Sequence, residues 1–255
     1  MIKFWSYKRE LNRYKSKLNS QINKSLNSGN IFFGEQLSSF EKNFTKKNKS
    51  KYGIAVGSGT DALLIALTAL GIKKGDQVIT ASNTAIPTIT AIINSGATPK
   101  LVDVDDDFLI DVKKIQKEIN SKTKAIIPVH LYGQSCNMSE ITKIAKKNKL
   151  EIIEDCAQSQ GAKFKNKYTG TFGRFGCFSF YPTKILGAYG DGGFILANTF
   201  EDYKKIKRLR FYGIEKFGLP NEDDLTEGDP INIKFKGNLR KEQMPIYDIV
   251  KNTLD

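Results

Sequence analysis

The sequence predicts an α/β domain of three layers, with helices on both sides of a mainly parallel sheet. Three observations predict it. Short strand-like runs alternate with helical runs from residue 52 to residue 197. A strand, a glycine-rich turn and an apolar helix follow one another at 52–70. A second glycine-rich connection, carrying Lys184, joins two apolar strands at 178–197. The 255 residues suffice for one large domain or two small ones, and no internal repeat is visible.

In chain order, Leu11, Tyr14, Leu18, Ile22 and Leu26 recur at three- and four-residue spacing and predict an amphipathic helix, with Gly29 at its C-terminal cap. A second helix runs from Gly34 to Phe44, with Leu37, Phe40 and Phe44 on one face. Residues 52–56 form a strand, 57–61 a turn and 62–70 a helix. A turn and strand at 75–80 lead to a helix at 87–93. The strand of 96–104 precedes an acidic turn at Asp105, Asp106 and Asp107, and a helix at 115–119. Residues 124–133 are a strand ending in a turn, 138–147 a helix, and 150–155 a strand ending in two carboxylates. After a turn-rich stretch at 167–173 comes the strand at Phe178, ended by Pro182, which cannot donate to a ladder. The strand of 194–197 and a lysine-rich helix to Arg210 follow.

Composition excludes several classes. No apolar run approaches the length of a membrane span, and no signal-peptide pattern opens the chain. Cys136, Cys156 and Cys177 give neither a disulfide framework nor a zinc pattern, which suits a reducing cytoplasm. A single histidine cannot build a histidine metal cluster. The formal charge of +13 is spread over helices as a solvated surface, without the basic and aromatic interleaving that grips single strands, so nucleic acid is not the expected partner.

Four places carry chemistry. Lys184 sits on a sharp connection among glycines 187, 190, 192 and 193. A lysine partly desolvated at a strand end can lose its proton and act as a nucleophilic amine. The alternative is a surface lysine in a glycine turn. Ser58, Gly59 and Thr60 open a helix, where free amides and the helix dipole favour a phosphate, or where a hydroxyl simply caps. Asp155 ends a strand, where a buried carboxylate needs a cation or serves as a helix cap. Ser179 is a ligand-facing or a packing serine. His130 is read as bonding a loop rather than as catalytic.

Taken together, the segment 178–193, the strings SGTDAL at 58–63, PVHLYG at 128–133 and EDCAQSQGA at 154–162, and Arg-Phe-Tyr-Gly at 210–213 resemble the DegT/DnrJ/StrS-type nucleotide-sugar aminotransferases. These are pyridoxal 5'-phosphate (PLP) enzymes of fold type I, and the resemblance runs from about residue 28 to about residue 216. It implies that Lys184 carries PLP as a Schiff base and shuttles the proton. It implies that Asp155 pairs with the pyridine nitrogen and that Gln158 contacts the ring or its phenolic oxygen. Ser58, Gly59, Thr60 and Ser179 would hold the phosphate. Glutamate would be the amine donor, a nucleotide-linked keto sugar the acceptor, and a homodimer the working form. The glycine-to-glycine segment 29–34 would border the sugar.

The chain departs from that pattern in places. Ala85 stands where many relatives place an aromatic ring over the pyridine, leaving Asn83 and Thr84 as local candidates to cover that face. Gln160 stands where a histidine is often found. Lysine rather than histidine at 184 argues against the dehydratase branch. After residue 216 the character changes, with an acidic stretch at 221–229. Gly-Asn-Leu-Arg at 237–240 is the candidate for the family's phosphate-reaching loop, through Asn238, while 231–247 looks like the lead-in to a nucleic-acid helicase core. The expected organisation is a helical arm at 1–30, a PLP-binding large domain at 31–217 and a divergent tail at 218–255, with the C-terminal small domain largely missing. The alternative function is a catalytically impaired regulatory or binding protein that keeps the fold.

Overall fold

The computed structural model describes residues 6–30 and 32–213. The expectations for the tail, including the 217/218 boundary and Asn238, lie outside the described residues. Helix α1 (Tyr7–Asn27) ends at Ser28, with Gly29 at φ 71° in the left-handed conformation expected of a C-terminal glycine. It buries none of its residues; its Tyr7 meets Tyr189 edge-on, ring centroids 5.7 Å apart. Helix α2 (Glu35–Lys47) follows and buries Phe44.

The elements then alternate. They are β1 (Tyr52–Val56), α3 (Gly59–Ala69), β2 (Gln77–Ala81), α4 (Ile86–Asn94), β3 (Thr98–Val102), α5 (Val112–Glu118), β4 (Thr123–Ile127), α6 (Met138–Asn148) and β5 (Glu151–Asp155). A small antiparallel pair, β6 (Lys163–Phe164) and β7 (Lys167–Tyr168), precedes β8 (Phe175–Ser179), β9 (Gly193–Ala197) and α7 (Phe200–Arg210). Short polar side chains start the helices. Ser58, Asp111, Asn137 and Thr199 each accept a backbone amide of the first turn of α3, α5, α6 and α7.

The main sheet has seven strands in the order β1-β9-β8-β5-β4-β2-β3. All neighbours are parallel except β9, which is antiparallel to both β1 and β8. The carboxyl ends of β1, β2, β4, β5 and β8 therefore meet at one edge, where ligands collect in open α/β sheets. Alternate residues of β8 and β9 face opposite ways. Phe178, Phe194 and Leu196 pack with Phe44 of α2, whereas Phe175, Cys177, Ile195 and Ala197 join the larger core with α3. That is the expected layering of helix, sheet and helix. The free edge of β1 is closed by an ion pair: the Ala55 amide donates to Glu41 Oε1 (2.9 Å) and Arg210 donates both to Glu41 and to the Ala55 carbonyl (3.2 Å).

Two of the boundaries that differ from expectation bear on the site. Helix α3 starts at Gly59 rather than at residue 62, because Ser58 caps it. Strand β8 begins at Phe175 and ends at Ser179, before Pro182. Past Ser179 the Phe180 amide donates to Gly192 O, which carries the pairing with β9 one residue further, and the Ala188 amide donates to Phe180 O, which folds the loop back, both at 2.7 Å. The loop carrying Lys184 is thus tied at its base.

The entry into β8 depends on one buried carboxylate. Glu154 Oε1 accepts the amides of Phe172 (2.6 Å) and Gly173 (2.7 Å), and Oε2 accepts the Gly170 amide (2.8 Å). His130 Nε2 meets Oε2 at 3.0 Å. The Cys136 amide donates to His130 Nδ1 (3.1 Å), so the ring proton sits on Nε2 and points at Glu154. His130 bonds a loop, as expected. The loop lies flat on β8 because Gly176 has no side chain; a Cβ there would stand 2.1 Å from the Gly170 carbonyl oxygen.

Replacing Glu154 with Gln puts an amide donor where only acceptors fit. The expected loss is about 3 kcal/mol or more, since hydrogen bonds to a buried charge are among the strong ones. Urea unfolding measures it, and a Gln variant as stable as the parent would show that the loop holds itself.

Candidate active site

The carboxyl edge of the sheet gathers the residues that the sequence singled out. Ser58 ends the turn after β1. Its hydroxyl accepts the Asp61 amide (3.0 Å) and donates to Asp61 Oδ2 (2.9 Å), so the capping role is the one its geometry displays. The amides of Gly59 and Thr60 are the first two of α3 and have no partner within the helix. Free amides at the start of a helix are suited to an anion by backbone and dipole alone, with no lysine needed.

Ser179 stands against this turn. A Cβ on Gly59 would lie 2.6 Å from Ser179 Cβ, and one on Gly193 would lie 2.1 Å from the Ser58 carbonyl oxygen. Glycine at both positions is what lets β8, β9 and the start of α3 close up. Ser179 Oγ accepts the Tyr181 amide at 3.3 Å, and its carbonyl accepts Gln160 Nε2 at 2.7 Å. Gln160 therefore braces the strand end.

Asp155 ends β5 and is 4% exposed. No helix follows it, so the capping alternative falls away. Instead Oδ1 accepts the Ala157 amide (3.1 Å) in a local turn, and Oδ2 accepts the Thr88 hydroxyl (2.7 Å). Among the described residues no cation forms an ion pair with it. Burial pushes its pKa above the ordinary 3.8, while Thr88, the Ala157 amide and the nearby charges of His130 and Lys184 pull it down. Lys184 is half-buried, on the loop after β8, where its amide donates to the Tyr181 carbonyl (2.8 Å). Gln158 Oε1 accepts the amide of Tyr132 (3.0 Å), a residue in the left-handed conformation at φ 58°.

Sequence reasoning missed Thr88. It sits in the first turn of α4, and Thr84 bonds it from four residues back at 2.8 Å. A Thr-x-x-x-Thr spacing was readable, but nothing local said that its hydroxyls face a strand end far along the chain. Asn83 does not stand free over the site, because its Nδ2 donates to the Phe108 carbonyl (2.9 Å). Next to the anion turn, a cavity of about 380 Å³ is lined by Phe32, Phe33, Leu37, Val56, Gly57 and Arg210, among others.

His130, Glu154 and Cys156 bring ligand atoms within 4.8 Å of one another, the spacing of a metal site. Protein bonds already fill it. Both Glu154 oxygens are taken, and burial pushes the Cys156 thiol up to about 11, so it keeps its proton at neutral pH. Among the described residues no helix is long and apolar enough to cross a membrane.

Comparisons with known proteins place the chain in one family. The family model of the DegT/DnrJ/EryC1/StrS aminotransferases matches residues 12–236, reaching beyond residue 216. The dTDP-3-amino-3,4,6-trideoxy-alpha-D-glucose transaminase of Micromonospora megalomicea subsp. nigra is 40% identical over 213 residues, which are 83% of this chain and 57% of that protein. The crystal structure of S. venezuelae DesV in complex with a ketimine intermediate superposes with a TM-score of 0.80 at 35% identity, over 84% of this chain and 58% of that one. NtdA from Bacillus subtilis with bound cofactor PMP gives 0.76 at 34% identity, over 88% and 49%. The chain thus spans about half the length of the relatives it matches.

The geometry makes Asp155 a cost to the ligand-free chain. The folded state holds its proton more tightly than the unfolded state does, so its ionisation destabilises the fold above the folded pKa. That cost is absent below the ordinary value of 3.8. Asp155→Asn should therefore raise the melting temperature of the ligand-free chain near neutral pH, with the gain shrinking in acid. Thermal melts at the two pH values check it. A variant that melts lower at neutral pH than in acid, relative to the parent, would contradict the argument.

Proposed function

This chain belongs to the DegT/DnrJ/EryC1/StrS aminotransferase family, and from that premise we propose that it transfers an amino group to a nucleotide-linked keto sugar, with PLP as cofactor and glutamate as donor. One observation carries the reading. A buried carboxylate without a protein cation, Asp155, shares a sheet edge with a glycine-cradled helix N-terminus and a half-buried lysine.

The residues fit the cofactor. A pyridinium nitrogen supplies the cation that Asp155 lacks, and a phosphate suits the Gly59 and Thr60 amides with the Ser179 hydroxyl beside them. Gln158, held by the Tyr132 amide, would line the ring, and Ser58 would act through the cap it forms. When bound, PLP supplies an electron sink.

The protein's own part is to bind, orient and move one proton. The start of α3 holds the anion by amides that need no reorganisation. Asp155 keeps a negative charge at the strand end, and its two existing bonds set its plane. Lys184 Nζ is the group that takes a proton from the donor amino acid and returns it in the acceptor half-reaction. The aromatic cavity beside Gly57, with Arg210 in its wall, suits a sugar nucleotide. Exposed apolar residues around the loop and the helix entry, including Ile86, Tyr181, Ile185 and Leu186, suit burial in a homodimer. No described residue of the site favours the regulatory alternative.

Borohydride reduction of the PLP-loaded protein should fix the label on the peptide containing Lys184. Lys184→Arg keeps the charge but neither bonds the aldehyde nor shuttles a proton at neutral pH, so turnover should vanish. Asp155→Asn should slow the glutamate half-reaction by roughly 3–5 kcal/mol in barrier. A label on another lysine, in protein that is folded, would remove the aminotransferase reading.

A further inference from the structure

The two threonines at the start of α4 form a directional chain. Thr88 is buried, and its hydroxyl donates to Asp155 Oδ2 at 2.7 Å, the length of a charge-assisted bond. A hydroxyl has one proton, so once Thr88 gives it to Asp155, the 2.8 Å contact with Thr84 must be donated by Thr84. On the other side, the Ala157 amide holds Oδ1. The carboxylate is thus gripped from two separate elements, α4 and the turn after β5. We infer that the Thr84–Thr88 hydroxyl pair orients the Asp155 carboxylate and holds its negative charge at the strand end, making Thr88 a positioning residue for the proposed reaction.

The physical reason lies in what else surrounds Asp155. The titratable groups near it are Lys184 after β8, His130 and Glu154 at the ends of β4 and β5, and Cys156 and Cys177. Glu154 and His130 are committed to each other and to backbone amides. The two cysteines are protonated thiols, raised by burial. Thr88 is therefore the side chain that gives Oδ2 a proton donor among the described residues. Without it, Oδ2 would be a buried acceptor with no partner, and the carboxyl would take up a proton instead. A neutral Asp155 offers nothing to a ring cation. The catalytic half of this inference rests on the reading that such a cation binds here; the electrostatic half does not.

The test begins with the cofactor-free chain, its aspartate side chains labelled with carbon-13 and titrated by NMR. Thr88→Val keeps the shape and removes the hydroxyl; the Asp155 pKa should rise by about one unit relative to the parent. Thr88→Ser should restore the parent value, which a purely packing role would not predict. Thr84→Val, which spares the direct contact, should give a smaller rise. In PLP titrations near neutral pH, Thr88→Val should bind about tenfold more weakly and Thr88→Ser like the parent. An unmoved Asp155 pKa in Thr88→Val overturns the inference. Should that variant not fold, an unmoved pKa in Thr84→Val overturns it. The Lys184 label in the parent judges the enzyme reading separately. A missing label with a responsive titration removes the catalytic role and leaves the electrostatic one, whereas a specific label with a flat titration removes the inference alone.

Discussion

The Glu154 carboxylate is the constraint on which the rest of the site depends. It is buried at the end of β5, where an ion is costly unless every lone pair is used. Three backbone amides and His130 use them. Those amides belong to the stretch leading into β8, so Glu154 fixes the depth at which β8 enters the sheet. The register that results sets Asp155 opposite Cys177 and brings Ser179 and the Lys184 loop to the carboxyl edge. His130, the fourth partner, follows β4 and locks that strand end as well. Successive side chains of a strand point to opposite faces. One dipeptide therefore ties the scaffold together with its first carboxylate and turns the second to the other face, where Thr88 and the Ala157 amide meet it.

Much of this was legible in the sequence. The strands expected at 52–56, within 75–80 and at 194–197, found at 52–56, 77–81 and 193–197, and the helices between them follow from apolar runs bounded by glycine and polar caps. The turn at 57–61 and the helix after it were legible from glycine and hydroxyl residues between a strand and an apolar run, but the choice between a cap and an anion turn was not, and the geometry of Ser58 displays the cap. Other features were not. The division of labour between Glu154 and Asp155 rests on amides 16 to 19 residues away, and the Thr88 bond to Asp155 spans 67 residues. No local pattern encodes such partners. The strand boundary at Ser179 was misjudged because Pro182 looked like the stop, whereas the loop already closes on Phe180, whose carbonyl accepts the Ala188 amide. Asn83 was a reasonable cover for the face left open at Ala85 until its amide proved to be spent on Phe108.

The charge distribution separates two uses of electrostatics. The formal charge of the sequence is +13, and among the described residues most lysines are exposed, so that their field is screened within about 10 Å at ordinary salt. Such a field can draw a phosphorylated substrate toward the protein but cannot orient it. Orientation falls to fixed dipoles. The Gly59 and Thr60 amides hold their direction because Ser58 caps the helix and Ser179 packs against its start. Backbone dipoles fixed in this way carry no side-chain entropy to lose, unlike lysines.

Asp155 and Glu154 show why burial alone does not mark a functional carboxylate. Both are nearly inaccessible, and both end the same strand. Glu154 has no acceptor capacity left to attract a cation, since its four bonds converge from the protein itself. Asp155 receives only one hydrogen bond per oxygen and has its pKa raised by burial, so its ionised form is under-satisfied in the empty protein. A cation that binds there removes that deficit. The free energy it recovers appears both as affinity and as added stability of the fold, because a ligand that binds only the folded state stabilises it by mass action. The two carboxylates thus divide between a saturated one, which ties the entry of β8 to the sheet, and one whose ionised form is left less satisfied by the protein.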